Sequence, residues 1–81
     1  MDSELNTQAM ELSFTILEDI IMIRPLTNKE DIMELARTAK NDVDISSEYP
    51  QVLKLAYKEM VNKLQSLTFE EVKEIREIIE D

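Results

Sequence analysis

The chain has no cysteine, histidine, glycine or tryptophan among its 81 residues, and only two prolines. Each absence removes a class of structure or chemistry. Without cysteine there are no disulfides, thiolate metal ligands or thiol nucleophiles. Without histidine the commonest general base and the commonest zinc ligand are missing. Without glycine, the tight hairpins and positive-φ turns of β-proteins are hard to build. The longest uninterrupted apolar run is Ile20–Ile23, far short of the ~20 residues that span a bilayer. Asp2 and Glu4 stand where a signal peptide carries its basic segment, so no signal peptide is expected. No membrane insertion is expected either, and a cytoplasmic location follows.

What remains is helical and acidic. A hydrophobic content of 43% sustains a folded chain despite 33% charged residues, and the length suits one small domain, residues 1–81. Eighteen Asp and Glu against nine Lys and Arg leave a net charge of −9. A field of that sign repels phosphate backbones and anionic lipid, so no direct nucleic-acid binding is expected. The charge suits solubility, a basic protein partner, or a decoy that imitates nucleic acid.

The organising stretch is Tyr49 to Leu67, YPQVLKLAYKEMVNKLQSL. Val52, Leu53, Ala56, Met60, Val61 and Leu64 recur at steps of three and four, which is one face of a helix. Leu53, Ala56, Met60 and Leu64 are expected to be buried. The other segments read as amphipathic helices that pack against this one. Residues 3–23 carry two adjacent apolar rows, one through Leu5, Ala9, Leu12, Ile16 and Ile20, the other through Met10, Phe14, Leu17 and Ile21. Pro25 stops this helix, because the residue before proline is pushed out of the helical region.

Thr27 to Glu30 fits a capping box that opens a second helix, with Ile32, Leu35, Ala36 and Ala39 as its stripe. This helix is expected over 28–41, fading near Asn41. A linker then runs from Asp42 to Ser47, anchored by Val43 and Ile45, and Ser46 and Ser47 are placed to cap the third helix. The third helix covers 50–65, with Pro50 tolerated in its first turn. Thr68 to Glu71 is a second capping box, stapled by Leu67 and Val72, and opens a helix over 68–79. Val72, Ile75 and Ile79 face its core side. Four helices with short connections predict an all-α fold, an antiparallel up-and-down four-helix bundle.

Carboxylates are the only plentiful reactive groups, and their pattern does not assemble a site. Glu18-Asp19, Glu30-Asp31 and Glu70-Glu71 are adjacent pairs, which diverge by about 100° on a helix. Asp42 and Asp44 lack the glycine and glutamate of a calcium loop. Ser46 and Ser47 have no base to activate them. No enzyme, cofactor or metal site is expected. Candidate binding residues lie instead on surfaces: Lys54 and Lys58, one turn apart on the third helix, and the acidic row Glu70, Glu74, Glu77 and Asp81 on the last. Met22, Ile23 and Leu26 around the first turn would form an apolar patch for a partner, or for a second copy in a weak homodimer.

From Asn28 onwards the chain resembles the immunity proteins that protect producers of pediocin-like (class IIa) bacteriocins. The likeness rests on Ala39-Lys40-Asn41-Asp42 at a helix end, on a polar linker to Tyr49-Pro50 and the long helix beginning Val52-Leu53-Lys54-Leu55-Ala56, and on the polar break from Gln65 to Thr68. It implies a four-helix bundle in the cytoplasm of a Gram-positive bacterium, without enzymatic activity. The partner it implies is the complex formed when a bacteriocin engages the mannose phosphotransferase permease. Specificity would then reside in the C-terminal half, roughly Tyr49 to Asp81. The strong acidity departs from the neutral or basic character common in that family. The competing reading is a phage- or plasmid-type inhibitor or adaptor that binds a basic, nucleic-acid-handling protein.

Overall fold

A computed structural model describes residues 2–23, 25 and 27–80, with Asp2 described by its backbone alone. Four helices account for almost all of it: α1 (Asp2–Met22), α2 (Lys29–Ile45), α3 (Gln51–Ser66) and α4 (Phe69–Glu80). They form an all-α four-helix bundle of 37 × 23 × 20 Å. Its long axis is little more than the length of α1, which spans ~31 Å at 1.5 Å per residue.

The α3 stripe lies at the centre. Ala56, Met60 and Leu64 are fully buried, and Val61 is nearly so, whereas Val52 and Leu53 near the start of the helix are half-buried. Around Met60, Val61 and Leu64 gather Leu17, Ile20 and Ile21 from α1, Ile32, Met33 and Ala36 from α2, and Val72 from α4. The most extensive packing is between α1 and α3, followed by α2 and α3, while α4 lies mainly against α1. Ala9, Ser13 and Ala56 are buried to 1% or less on the two most closely engaged helices, and side chains this small allow helix axes to approach. Ser13 is the one buried polar residue among those described, and its hydroxyl donates to the Met10 carbonyl at 2.6 Å. That bond removes the penalty of an unpaired buried hydroxyl.

The buried stripe of α1 runs between the two rows the sequence suggested. Ala9, Ser13, Leu17, Ile20 and Ile21 face inward, whereas Leu12, Met10 and Phe14 at the outer edges of those rows are exposed. A helix in a bundle this small buries one narrow stripe, and its flanks stay in solvent.

Two further expectations are corrected at the ends of α2. The helix opens on Asn28, not on the expected Thr27–Glu30 box: the Asn28 Oδ1 accepts from the Asp31 amide at 2.8 Å, and Thr27 donates to the Asp31 carboxylate. Asparagine is an excellent N-cap, and one step of phase places it better than Thr27. At the other end α2 continues to Ile45, past the expected stop at Asn41. Val43 is buried and holds this last turn down, and Lys40 pairs with Asp44 across it. Ile45 is no anchor, being 84% exposed.

Ser46 terminates α2, and its hydroxyl accepts from the Glu48 amide; α3 starts behind Pro50 with no side-chain cap. The Pro50 carbonyl instead receives the Leu53 and Lys54 amides. The C-caps of α2 and α3, Ser46 and Leu67, leave their helices in extended conformation, and no described residue has positive φ. A chain without glycine ends helices this way because the left-handed cap carries a Cβ penalty.

The Thr68–Glu71 box forms as expected. The Thr68 amide donates to Glu71 Oε1 at 2.9 Å, and the Glu71 amide donates to Thr68 Oγ1 at 3.1 Å. The Lys29 ammonium closes the adjoining end of the bundle by donating to the Gln65 and Leu67 carbonyls. It satisfies orphan carbonyls at the α3 C-terminus and complements the helix dipole there. This bond joins the start of α2 to the end of α3, so the two helices run antiparallel. Val72, immediately beyond the box, is fully buried, Ile75 and Ile79 are half-buried, and Leu67 packs against the same core.

Met60→Ala is expected to destabilise the protein by about 2–5 kcal/mol in urea unfolding, a large share of the stability of so short a chain. Ile45→Ser should stay within about 0.5 kcal/mol of the parent. The bonds from the Thr68 amide and hydroxyl hold the Glu71 carboxyl below the ordinary glutamate value, with a smaller contribution from the Lys29 charge. A depressed folded-state pKa contributes stability above the unfolded value, which is lost as pH falls through the folded one. Glu71→Gln keeps an acceptor without the charge. Its stability deficit relative to the parent should therefore shrink on acidification through that window, and a deficit independent of pH would contradict this account.

Candidate functional site

Helical phase decides what α1 and α4 present to solvent. On α1, the flank beyond the buried Leu17 and Ile21 carries Met10 and Phe14, then Glu18 and Glu11. On α4, the flank beyond Ile75 carries Glu71, Ile78 and Glu74, while Lys73, Arg76 and Phe69 occupy the other flank. Where these flanks face each other, above the end of α3, the bundle opens a groove of about 380 Å³. Phe14, Leu17, Leu67 and Ile75 supply its apolar lining, with Glu18, Lys63 and Ser66 at the rim. Phe14 is 52% exposed and Ile78 72%.

Lys63 is the one cation among the described residues lining the groove, and its charge is engaged. Its ammonium lies 4.8 Å from the centre of the Phe14 ring and 3.4 Å from the Met10 sulfur. The ring face attracts the cation, and the aliphatic stem covers apolar surface beside it. The cations of α4 are turned away: Lys73 pairs with Glu70 and sits over the Phe69 ring, and Arg76 pairs with Glu80. With Pro25, Lys73 and Arg76 line a separate shallow cleft. Helix α1 carries acidic residues and no lysine or arginine at all.

The residues singled out from sequence do not converge on this groove. Lys54 is half-buried on α3 and Lys58 exposed one turn later; neither lines the groove. Glu70, Glu74 and Glu77 are exposed along α4 as expected, whereas Asp81 lies outside the described residues. Met22 and Ile23 are exposed, at 36% and 59%, and Leu26, the third member of that patch, lies outside the described residues. A larger depression of 760 Å³ runs along Lys29, Met33, Arg37 and their neighbours, all on α2, so no second element walls it.

Sequence reasoning placed Met10 and Phe14 in the core and so missed the groove. The available signal was their bracketing by Glu11 and Glu18, which marks that row as a boundary between apolar and polar faces.

Among the described residues, no acidic cluster is arranged to hold a metal ion, and no helix is long and apolar enough to cross a membrane. Compared with protein-family models, curated proteins and solved structures, the chain matches none of them.

Because Phe14 is half in solvent, Phe14→Ser is expected to leave the thermal midpoint within a few degrees of the parent. Val72→Ser, which places an unpaired hydroxyl in the core, should lower it far more. Comparable losses from both would mean that Phe14 belongs to the core.

Proposed function

We propose that this chain is a non-enzymatic binding protein, acting in the cytoplasm as an immunity protein that protects a Gram-positive bacteriocin producer. The observation that carries this reading is the punctuation of the bundle. A helix runs through Ala39-Lys40-Asn41-Asp42 and ends beyond them at Ile45, a short linker leads to Tyr49-Pro50, and a long third helix and a capped fourth follow. The target would be the bacteriocin-engaged mannose permease, met from the cytoplasmic side by the C-terminal half of the bundle. With neither cysteine nor histidine in the chain, binding is favoured over catalysis.

The acidic inhibitor reading draws on the exposed Glu70, Glu74 and Glu77. Imitation of a phosphate backbone needs an uninterrupted row of negative charge. Lys73 lies 3.5 Å from Glu70 and offsets its charge at one end of the row. Immunity is the better supported of the two.

Expression of the chain in a strain sensitive to pediocin-like bacteriocins, followed by challenge with a panel of them, tests the proposal. Survival against one or two members is the expected result. Uniform killing, with the protein shown to be expressed and folded, would overturn it and turn attention to basic protein partners.

A further inference from the structure

Burial is divided unevenly among the four helices. Among the described residues, α1, α2 and α3 each hide at least four side chains, whereas α4 hides one, Val72. Phe69, Ile75 and Ile79 complete the apolar stripe of α4 and are only half-buried. The two extensive packing surfaces, α1 on α3 and α2 on α3, do not involve α4, which packs less extensively and mainly on α1. A groove of about 380 Å³, lined by Leu17 of α1 and Ile75 of α4, opens along that seam. From this distribution we infer that α4 is a lid. It undocks as a unit about Leu67–Thr68 and uncovers the part of the core that Val72 seals, while α1, α2 and α3 stay assembled. The inference concerns a motion of the fold and stands apart from the reading of the chain as an immunity protein.

The connection between α3 and α4 is built as a hinge. On one side of it, Lys29 donates to the Gln65 and Leu67 carbonyls and so ties the end of α3 to the start of α2. On the other side, the Thr68–Glu71 capping box and the Lys73–Glu70 pair are internal to α4 and its cap, and they leave with it. Between the two, Leu67 is in extended conformation and Thr68 is exposed. Helix α4 has 12 residues, too few to persist as an isolated helix in water. Undocking therefore melts it and opens its amides to solvent. Local unfolding draws on segments of this kind, which are contiguous and have few buried apolar contacts.

Native-state hydrogen exchange on the full chain, repeated in increasing low concentrations of urea, tests the lid. The amides from Val72 to Ile79 should share one opening free energy and one urea dependence. Their protection should lie about tenfold or more below that of Met60, Val61 and Leu64 on α3. Protection that instead falls residue by residue toward Glu80, without urea dependence, is fraying of a helix end and would overturn the inference.

Two variants separate the lid from the rest. Val43 is buried on α2 outside the cluster that Val72 joins. Val43→Ala should lower protection on α3 by about fivefold or more and leave α4 unchanged, because Val43 is packed whether the lid is shut or open. Equal losses on both helices would make the bundle one cooperative unit, without a lid. Val72→Asp places a charge in the sealed core and should hold the lid open. Its helical circular dichroism should fall by the part that α4 supplies, with the amide dispersion of α1, α2 and α3 retained. Loss of all helicity would mean that those three helices cannot stand without α4, and the inference would fail.

Discussion

Burial of one stripe of α3 is the constraint on which the bundle depends. Ala56, Met60, Val61 and Leu64 cannot be hidden by α3 itself, and each of the other three helices covers part of them. At roughly 25 cal/mol per Å² of apolar surface removed from water, a few side chains of this size supply most of what such a short chain can gain. The arrangement therefore leaves little reserve. Where the stripe ends, as at half-buried Val52 and Leu53, cover is thinner, and the flanks of α1 remain in solvent.

The polar groups serve this burial by fixing the helix ends. Asn28 starts α2, Thr68 and Glu71 start α4, and Lys29 satisfies the last carbonyls of α3 from a neighbouring helix. These bonds stand at the connections, where a chain without glycine has few turn conformations to choose from. They determine the points at which the chain reverses and so the register in which the apolar stripes meet. The linker from Ser46 to Pro50 is the exception: α3 begins without a side-chain cap and takes its phase from Pro50 and from its buried face.

The groove is a consequence of the same economy of apolar surface. Because α4 packs mainly on α1 and only its Val72 edge reaches the centre, the surfaces beside Phe14 and Ile75 are left apart. Glu18 and Lys63 are the charged residues at the rim of the groove. Lys63 covers part of Phe14, at a separation typical of a modest cation–π attraction.

By itself the sequence determined the number of helices, their approximate ends and the buried face of α3. Those features are local: a period of three and four, a proline, and a threonine three residues before a glutamate each act within one or two turns. It also limited chemistry, since residues absent from the chain are absent from any fold of it. The tertiary structure decided that a stripe between the two apolar rows of α1 is covered, that α2 runs on to Ile45, and that Phe14 and Ile75 border one groove with Glu18 at its rim. These depend on how far α4 stands from α1 and α3, a distance set by the sizes of facing side chains from separate helices. Periodicity along one helix reports a preference for burial, but the area available to satisfy it is a property of the neighbours.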